Sequence, residues 1–241
     1  MNKILRNTSI NGNLLPGAIN TVYSIPEEYI YSKNYFLRHP KIILYKSIDR
    51  IIKAFIDVID LNDKIVKDLK LKKTEVHPEF NKLSKSIVEL LDSINSLIED
   101  CLSIFKTTTP PTEVIKKNKR KFVYQWLEKS KHPTYLSFYD KVKSYRNQIT
   151  YFINKHKHEH GRIEIVPGII NNNESILGYT MKYIDDISGE VLEVLDLNKI
   201  KSISLDIQYN FYQFYNICEH FSYALLKSIK IFYKTELIIK K

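Results

Sequence analysis

The sequence predicts a mainly α protein, a helical bundle with a small three-stranded antiparallel β unit inserted before the C-terminal helix. Three observations lead there. Apolar residues recur at helical spacing through most of the chain, glycine and proline are scarce at 6 and 8 of 241 residues, and apolar–polar alternation is confined to the stretch after Gly161. A hydrophobic content of 44% suffices to fill a core. The domain reading is an irregular N-terminal arm over residues 1–40 and one helical domain over residues 41–241, with the β insertion at about 162–196.

The arm carries Asn11-Gly12 and Pro16-Gly17 turn signals and a tyrosine-rich piece from Tyr23 to Tyr35, with one short helix expected around Pro26 to Lys33. From Lys41 to about Lys72, Ile48, Ile51, Ile52, Phe55, Ile59, Ile65 and Leu69 mark an amphipathic helix, with a break expected near Asn62-Asp63. After His77-Pro78, the stripe Ile87, Leu90, Leu91, Ile94, Leu97, Ile98, Cys101, Leu102 and Phe105 marks a second helix, which Thr107 to Pro111 ends. A third helix is expected from Thr112 to Leu127, with Trp126 as a core anchor. A fourth opens at Tyr135, buries Phe138, Val142, Tyr145, Ile149, Phe152 and Ile153, and ends at Gly161. Arg162 to Val166, Ile176 to Tyr183 and Glu190 to Leu195 read as strands, with loops at Pro167-Gly168 and Asn171 to Asn173. From Lys199 to Lys234 the apolar residues lie so widely around the helix that it reads as central, and the Tyr209 to Tyr215 run reads as core.

The charge is unevenly placed. Thirteen of the 37 Lys and Arg and three of the 27 acids fall between Lys116 and Arg162, which leaves 24 of each elsewhere. The whole formal charge of +10 therefore sits in about a fifth of the chain. That distribution suits a polyanion, RNA more than DNA, because Tyr and His rings interleaved with the cations can stack on unpaired bases. The candidate binding residues are Lys116, Lys117, Lys119, Arg120, Lys121, Lys143, Asn154, Lys155, Lys157 and Arg162. An AT-rich genome produces the same lysine excess on a solvated face.

The stretch from Tyr145 to Arg162 holds Arg146, Asn147 and the cluster His156, His158 and His160. A helical chain with Arg-Asn on a late helix and histidines downstream resembles the HEPN superfamily of nucleotide-binding and RNA-cleaving domains, common in toxin and antiviral defence systems. The resemblance covers residues 41 to 160 and the last helix. It implies a metal-independent ribonuclease without cofactor, in which a histidine serves as general base and Arg146 and Arg162 stabilise charge on the phosphate. The family places four to six residues between Arg and His, whereas nine separate Arg146 from His156. At 1.5 Å per residue the two stand about 15 Å apart along a helix. A homodimer could bring the two groups together from separate protomers.

Two other readings fit the same residues. The aromatic arm and basic face could be docking surfaces of a non-catalytic interaction module in a larger assembly. His156 and His160, at i and i+4, could share a metal ion with Glu219 and His220, although Lys155 and Lys157 repel a cation, so no metal ligands are assigned. Cys101 and Cys218 fall at apolar helical positions and read as small buried hydrophobes. There is no Gly-rich phosphate loop, nucleophile elbow or dinucleotide fingerprint. No apolar run approaches the roughly 20 residues of a membrane helix, and Met1 to Asn7 lacks the features of a signal peptide, so a cytoplasmic protein without a membrane partner is expected.

Overall fold

The computed structural model describes residues 16–72, 76–111, 135–158, 162–170, 174–184, 191–192 and 200–233. The chain is a helical bundle with an antiparallel sheet inserted before the last helix. The helices among the described residues are α1 (Pro16–Tyr23), α2 (Ser32–Tyr35), α3 (Pro40–Lys72), α4 (Phe80–Thr107), α5 (Asp140–His158) and α6 (Ile203–Tyr233). A 3-10 turn at Glu27–Tyr29 lies between α1 and α2, and a π-helical turn at Tyr135–Tyr139 leads into α5. The expected helix from Thr112 to Leu127, with Trp126, and the loop at Asn171 to Asn173 lie outside the described residues. The described residues divide into two compact units, one within Ile51–Ser93 and Gln148–Tyr212, the other within 16–50, 94–111, 135–147 and 213–233.

Both described helix starts that follow a His-Pro pair use the histidine as a cap. Nδ1 of His39 accepts the Lys41 N–H at 3.2 Å, and Nδ1 of His77 accepts the Glu79 N–H at the same distance. Each ring thereby satisfies one of the N–H groups that a helix start leaves without an intrahelical acceptor. Because Nδ1 accepts, the proton resides on Nε2, which donates to Glu27 from His39 and to Asp68 from His77, both at 3.1 Å. Proline suits the next position, since its missing N–H would have had no partner.

In the first unit, α3 contributes Ile51, Phe55, Val58, Ile59, Ile65 and Leu69 to the core. The helix does not break at Asn62-Asp63: it runs unbroken from Pro40 to Lys72. Neither residue forbids a helix, and the burial of Leu61 and Ile65 continues in phase on either side of them. The sheet comprises β1 (Arg162–Ile170), β2 (Glu174–Ile184), β3 (Val191–Leu192) and β4 (Lys201–Ser202). Strands β1 and β2 pair antiparallel from Arg162 opposite Lys182 to Ile170 opposite Glu174. Pro167-Gly168, expected to form a loop, lies within β1. Among the described residues β1 pairs only with β2, and an edge strand tolerates a residue without an N–H. Of the third expected strand, Glu190 to Leu195, the described residues are Val191–Leu192, which form β3, and the rest lies outside the described residues. Strand β4, within the segment expected to be helical, pairs with Gly178 and Tyr179 of β2. Gly178 permits this pairing, because a Cβ there would collide with Ile200 Cγ2. Asp206 in the first turn of α6 accepts from Tyr179 OH at 2.8 Å and from Asn210 Nδ2 at 2.9 Å, which ties the sheet to the helix.

The second unit is built around three fully buried rings. Phe105 of α4 lies 5.3 Å from Phe138 and 5.2 Å from Phe221 of α6, and Phe138 and Phe221 are 6.1 Å apart. These are the tilted and edge-on geometries that aromatic quadrupoles favour. Cys101 and Cys218 are buried in this unit as free thiols.

Just past the Phe105 turn, α4 ends. The hydroxyls of Thr107, Thr108 and Thr109 donate back to the carbonyls of Ile104 and Phe105 at 2.7 to 3.2 Å. The carbonyls of the three threonines are then met by tyrosines. The Tyr31 N–H donates to Thr107, Tyr233 OH to Thr108 and Tyr35 OH to Thr109, at 2.7, 2.9 and 3.0 Å. Tyr29 stacks on Tyr233 at 3.9 Å, and the buried Lys106 ammonium lies 5.3 Å from the Tyr35 ring. The described residues of the arm are thus ordered into α1, a 3-10 turn and α2 rather than one short helix, and Tyr31 and Tyr35 meet buried carbonyls at and just past the end of α4. Pro16-Gly17, expected to be a turn, opens α1.

The Tyr209 to Tyr215 run departs from the core reading. Asn210 and Phe214 are buried, whereas Tyr209, Tyr212 and Tyr215 are exposed, Tyr212 at 61%. Helix α6 is amphipathic, and these three tyrosines are exposed with Leu205 and Tyr223.

Replacing Phe105 by Ala should lower the stability of the protein by about 3–5 kcal/mol in urea denaturation, since it empties the centre of the ring cluster. A loss below about 1 kcal/mol would contradict that role. Alkaline pH should also destabilise the fold. Burial pushes the pKa values of Tyr35, Tyr233, Cys101 and Cys218 above their ordinary 10.0 and 9.0, so the folded state keeps protons that the unfolded chain has released. Their contribution is complete below those ordinary values and is lost as pH rises above them. Lys106, pushed down by burial, acts in the opposite direction and is outnumbered. The melting temperature should fall between pH 8 and pH 10.5, and a flat or rising profile would contradict the assignment.

Candidate nucleic-acid interface

Helix α5 carries most of the described residues singled out in the sequence, and its buried stripe decides where they point. Val142, Tyr145, Ile149 and Ile153 face the core at steps of three and four residues. In the second unit, this leaves Lys143 and Asn147 exposed. Arg146 lies beside the stripe and is only 18% exposed. Its Nη2 donates to Glu99 Oε1 at 2.5 Å and its Nη1 to Tyr139 OH at 3.1 Å, with the guanidinium 5.7 Å from the Tyr139 ring. This charge-assisted node ties α5 to α4.

In the first unit, the outer face of α5 runs through Gln148, Tyr151 and Asn154, all exposed, with Lys155 beside them. Tyr151 is 64% exposed, and Lys155 Nζ lies 5.5 Å from its ring centroid. Lys157 pairs with Asp92 of α4 at 3.0 Å. His156 is half-buried, and its Nδ1 has no hydrogen-bond partner among the described residues. Arg162 is exposed at the start of β1. His158 ends α5, while His160 and the cluster Lys116, Lys117, Lys119, Arg120 and Lys121 lie outside the described residues.

Asn154, Lys155, His156 and Lys157 thus share one end of a helix, but Arg146 does not join them. Helix α5 is continuous from Asp140 to His158, so ten residues of unbroken helix keep Arg146 and His156 about 15 Å apart along the axis. Tyr151 is the residue that sequence reasoning passed over. Its signal is its phase: it falls off the Tyr145, Ile149 and Ile153 stripe and precedes Lys155 by four positions.

The first unit also has a cavity of about 420 Å³ lined by residues that include Asp57, Asp60, Lys64, Glu79, Lys82 and Glu89. Lys64 and Glu79 neutralise each other across it at 2.7 Å. Acids and lysines alternate there, so it offers no concentrated positive field for a polyanion. Among the described residues no group of three His, Cys, Asp or Glu is placed to hold a metal ion, and no helix is long and apolar enough to cross a membrane.

A double-mutant cycle on Arg146→Ala and Glu99→Ala should give a coupling energy of about 1 kcal/mol in urea denaturation. A coupling near zero would mean that Arg146 is not committed to the fold.

No family model matches the chain, and neither the curated proteins nor the solved structures give a match.

Proposed function

We propose that the protein binds single-stranded nucleic acid, RNA in preference to DNA, along the outer face of α5 between Gln148 and Lys157. The observation that carries this reading is the Tyr151 ring, 64% exposed, with the Lys155 ammonium over one face at 5.5 Å from the centroid and the Asn154 amide one position before Lys155 in the chain. An exposed ring offers a stacking surface to an unpaired base, worth about 1–3 kcal/mol per base. Lysine neutralises a flanking phosphate, and the amides of Gln148 and Asn154 can hydrogen-bond a base edge or a ribose 2′-hydroxyl, the group that separates RNA from DNA. The concentration of the net charge between Lys116 and Arg162 supports a polyanionic ligand.

The reading is binding rather than cleavage. Arg146 is engaged by Glu99 and Tyr139, and its separation from His156 on one continuous helix is too great for both to hold a single phosphate. Strand scission, which the HEPN resemblance implies, would require a second protomer to complete the pair.

Fluorescence anisotropy with labelled oligouridine in excess chelator tests both points. The wild-type protein should bind the oligonucleotide and leave it intact. Tyr151→Ala should weaken binding about tenfold without changing the melting temperature, because the ring it removes is exposed. Equal affinity in the variant, or none in the wild type, would overturn the proposal.

A further inference from the structure

Helix α2 ends in a cap that glycine usually completes. The Leu37 N–H donates to the Ser32 carbonyl at 3.0 Å and the Phe36 N–H to the Lys33 carbonyl at 3.4 Å. These are the paired closing bonds of a Schellman motif, whose penultimate residue must be left-handed. That residue is Phe36, with φ 55° and ψ 38°. Among the described residues no other non-glycine residue has positive φ. A β-carbon is disfavoured in this conformation, and a bulky side chain is rare there. Burial does not offset the strain, because Phe36 is 80% exposed.

Strain held at an exposed aromatic points to function rather than folding. The chemistry around the ring indicates what it meets. Lys33, Asn34 and Arg38 are all exposed, and no Asp or Glu occurs from Ile30 to Ile48. In the chain, Phe36 is preceded by Lys33 and Asn34 and followed by Arg38, two exposed cations and an amide next to one exposed ring. That set suits an unpaired base and its flanking phosphates.

We propose that Phe36 is a base-stacking platform of a second nucleic-acid contact, with Lys33 and Arg38 holding the phosphates on either side. The proposal rests on the single-stranded nucleic-acid reading above and adds a site on the N-terminal arm.

The test is Phe36→Gly in the full chain, assayed with the same labelled oligouridine and by thermal denaturation. Glycine relieves the strain, so the melting temperature should rise by about 2–4 °C while affinity falls about tenfold. Phe36→Tyr, which keeps the ring, should retain wild-type affinity, and Phe36→Asn, which tolerates the left-handed conformation, should lose it. A fall in melting temperature for Phe36→Gly would assign the ring to the fold and overturn the proposal. Unchanged affinity in Phe36→Gly, with Tyr151→Ala still defective, would overturn this site and leave the α5 face standing. Binding of phosphatidylserine vesicles that Phe36→Gly alone abolishes, with oligouridine binding unaffected, would replace it with a lipid contact. Absence of oligouridine binding by the wild-type protein would remove both sites together.

Discussion

Helix α5 turns 100° per residue, so the burial of Val142, Tyr145, Ile149 and Ile153 dictates the direction of every other side chain on it. Each of these side chains contributes about 1.5–3 kcal/mol by leaving water, far more than any single polar contact on the opposite face. The helix therefore cannot rotate to bury Tyr151 without exposing the stripe. The same phase sets Arg146 at the boundary, where it reaches Glu99, and turns Gln148, Asn154 and the Tyr151 ring outward. The candidate interface is a consequence of how the core is filled.

A second constraint governs the N-terminal arm. The last carbonyls of a helix have no intrahelical partners, and at the buried end of α4 water cannot supply them. The Tyr31 N–H meets the Thr107 carbonyl, and just past the helix Tyr35 OH meets that of Thr109, which fixes α2 in place, while Tyr233 of α6 meets that of Thr108. A segment held this firmly can maintain a strained residue at its end, and Phe36 is that residue. The backbone that carries the exposed ring is thereby fixed, with its ordering cost met during folding.

Helices α3, α4, α5 and α6 were legible in the sequence because burial follows a 3.6-residue period, and so was the pairing of β1 with β2 ahead of the last helix, because its period is two. The departures have separate physical causes. Asn62-Asp63 resembled a break because both residues favour turns, but the apolar phase continued across it. Pro167 resembled a loop but was acceptable on an edge strand. In α6, tyrosine was counted with the apolar residues, although its hydroxyl lets it occupy a wet face as readily as a core, and Tyr209, Tyr212 and Tyr215 do so. The short strand β4 depends on Gly178 lying opposite Ser202, a tertiary coincidence with no local signature. For the candidate site, the cations and Asn154 stood out by charge and spacing, whereas Tyr151 needed the helical phase. Phe36 had no sequence signal, since nothing in Asn34-Tyr-Phe-Leu-Arg38 marks a left-handed residue.

In the proposed interface α5 meets a polyanion through Lys155 beside Tyr151. The most direct measurement is the salt dependence of oligouridine affinity for the wild-type protein and for Lys155→Gln. The account predicts a steep fall in affinity with rising salt, and a logarithmic slope smaller by about 0.7 in the variant, the signature of one lost phosphate contact on a single strand. An identical slope in the two proteins would contradict it.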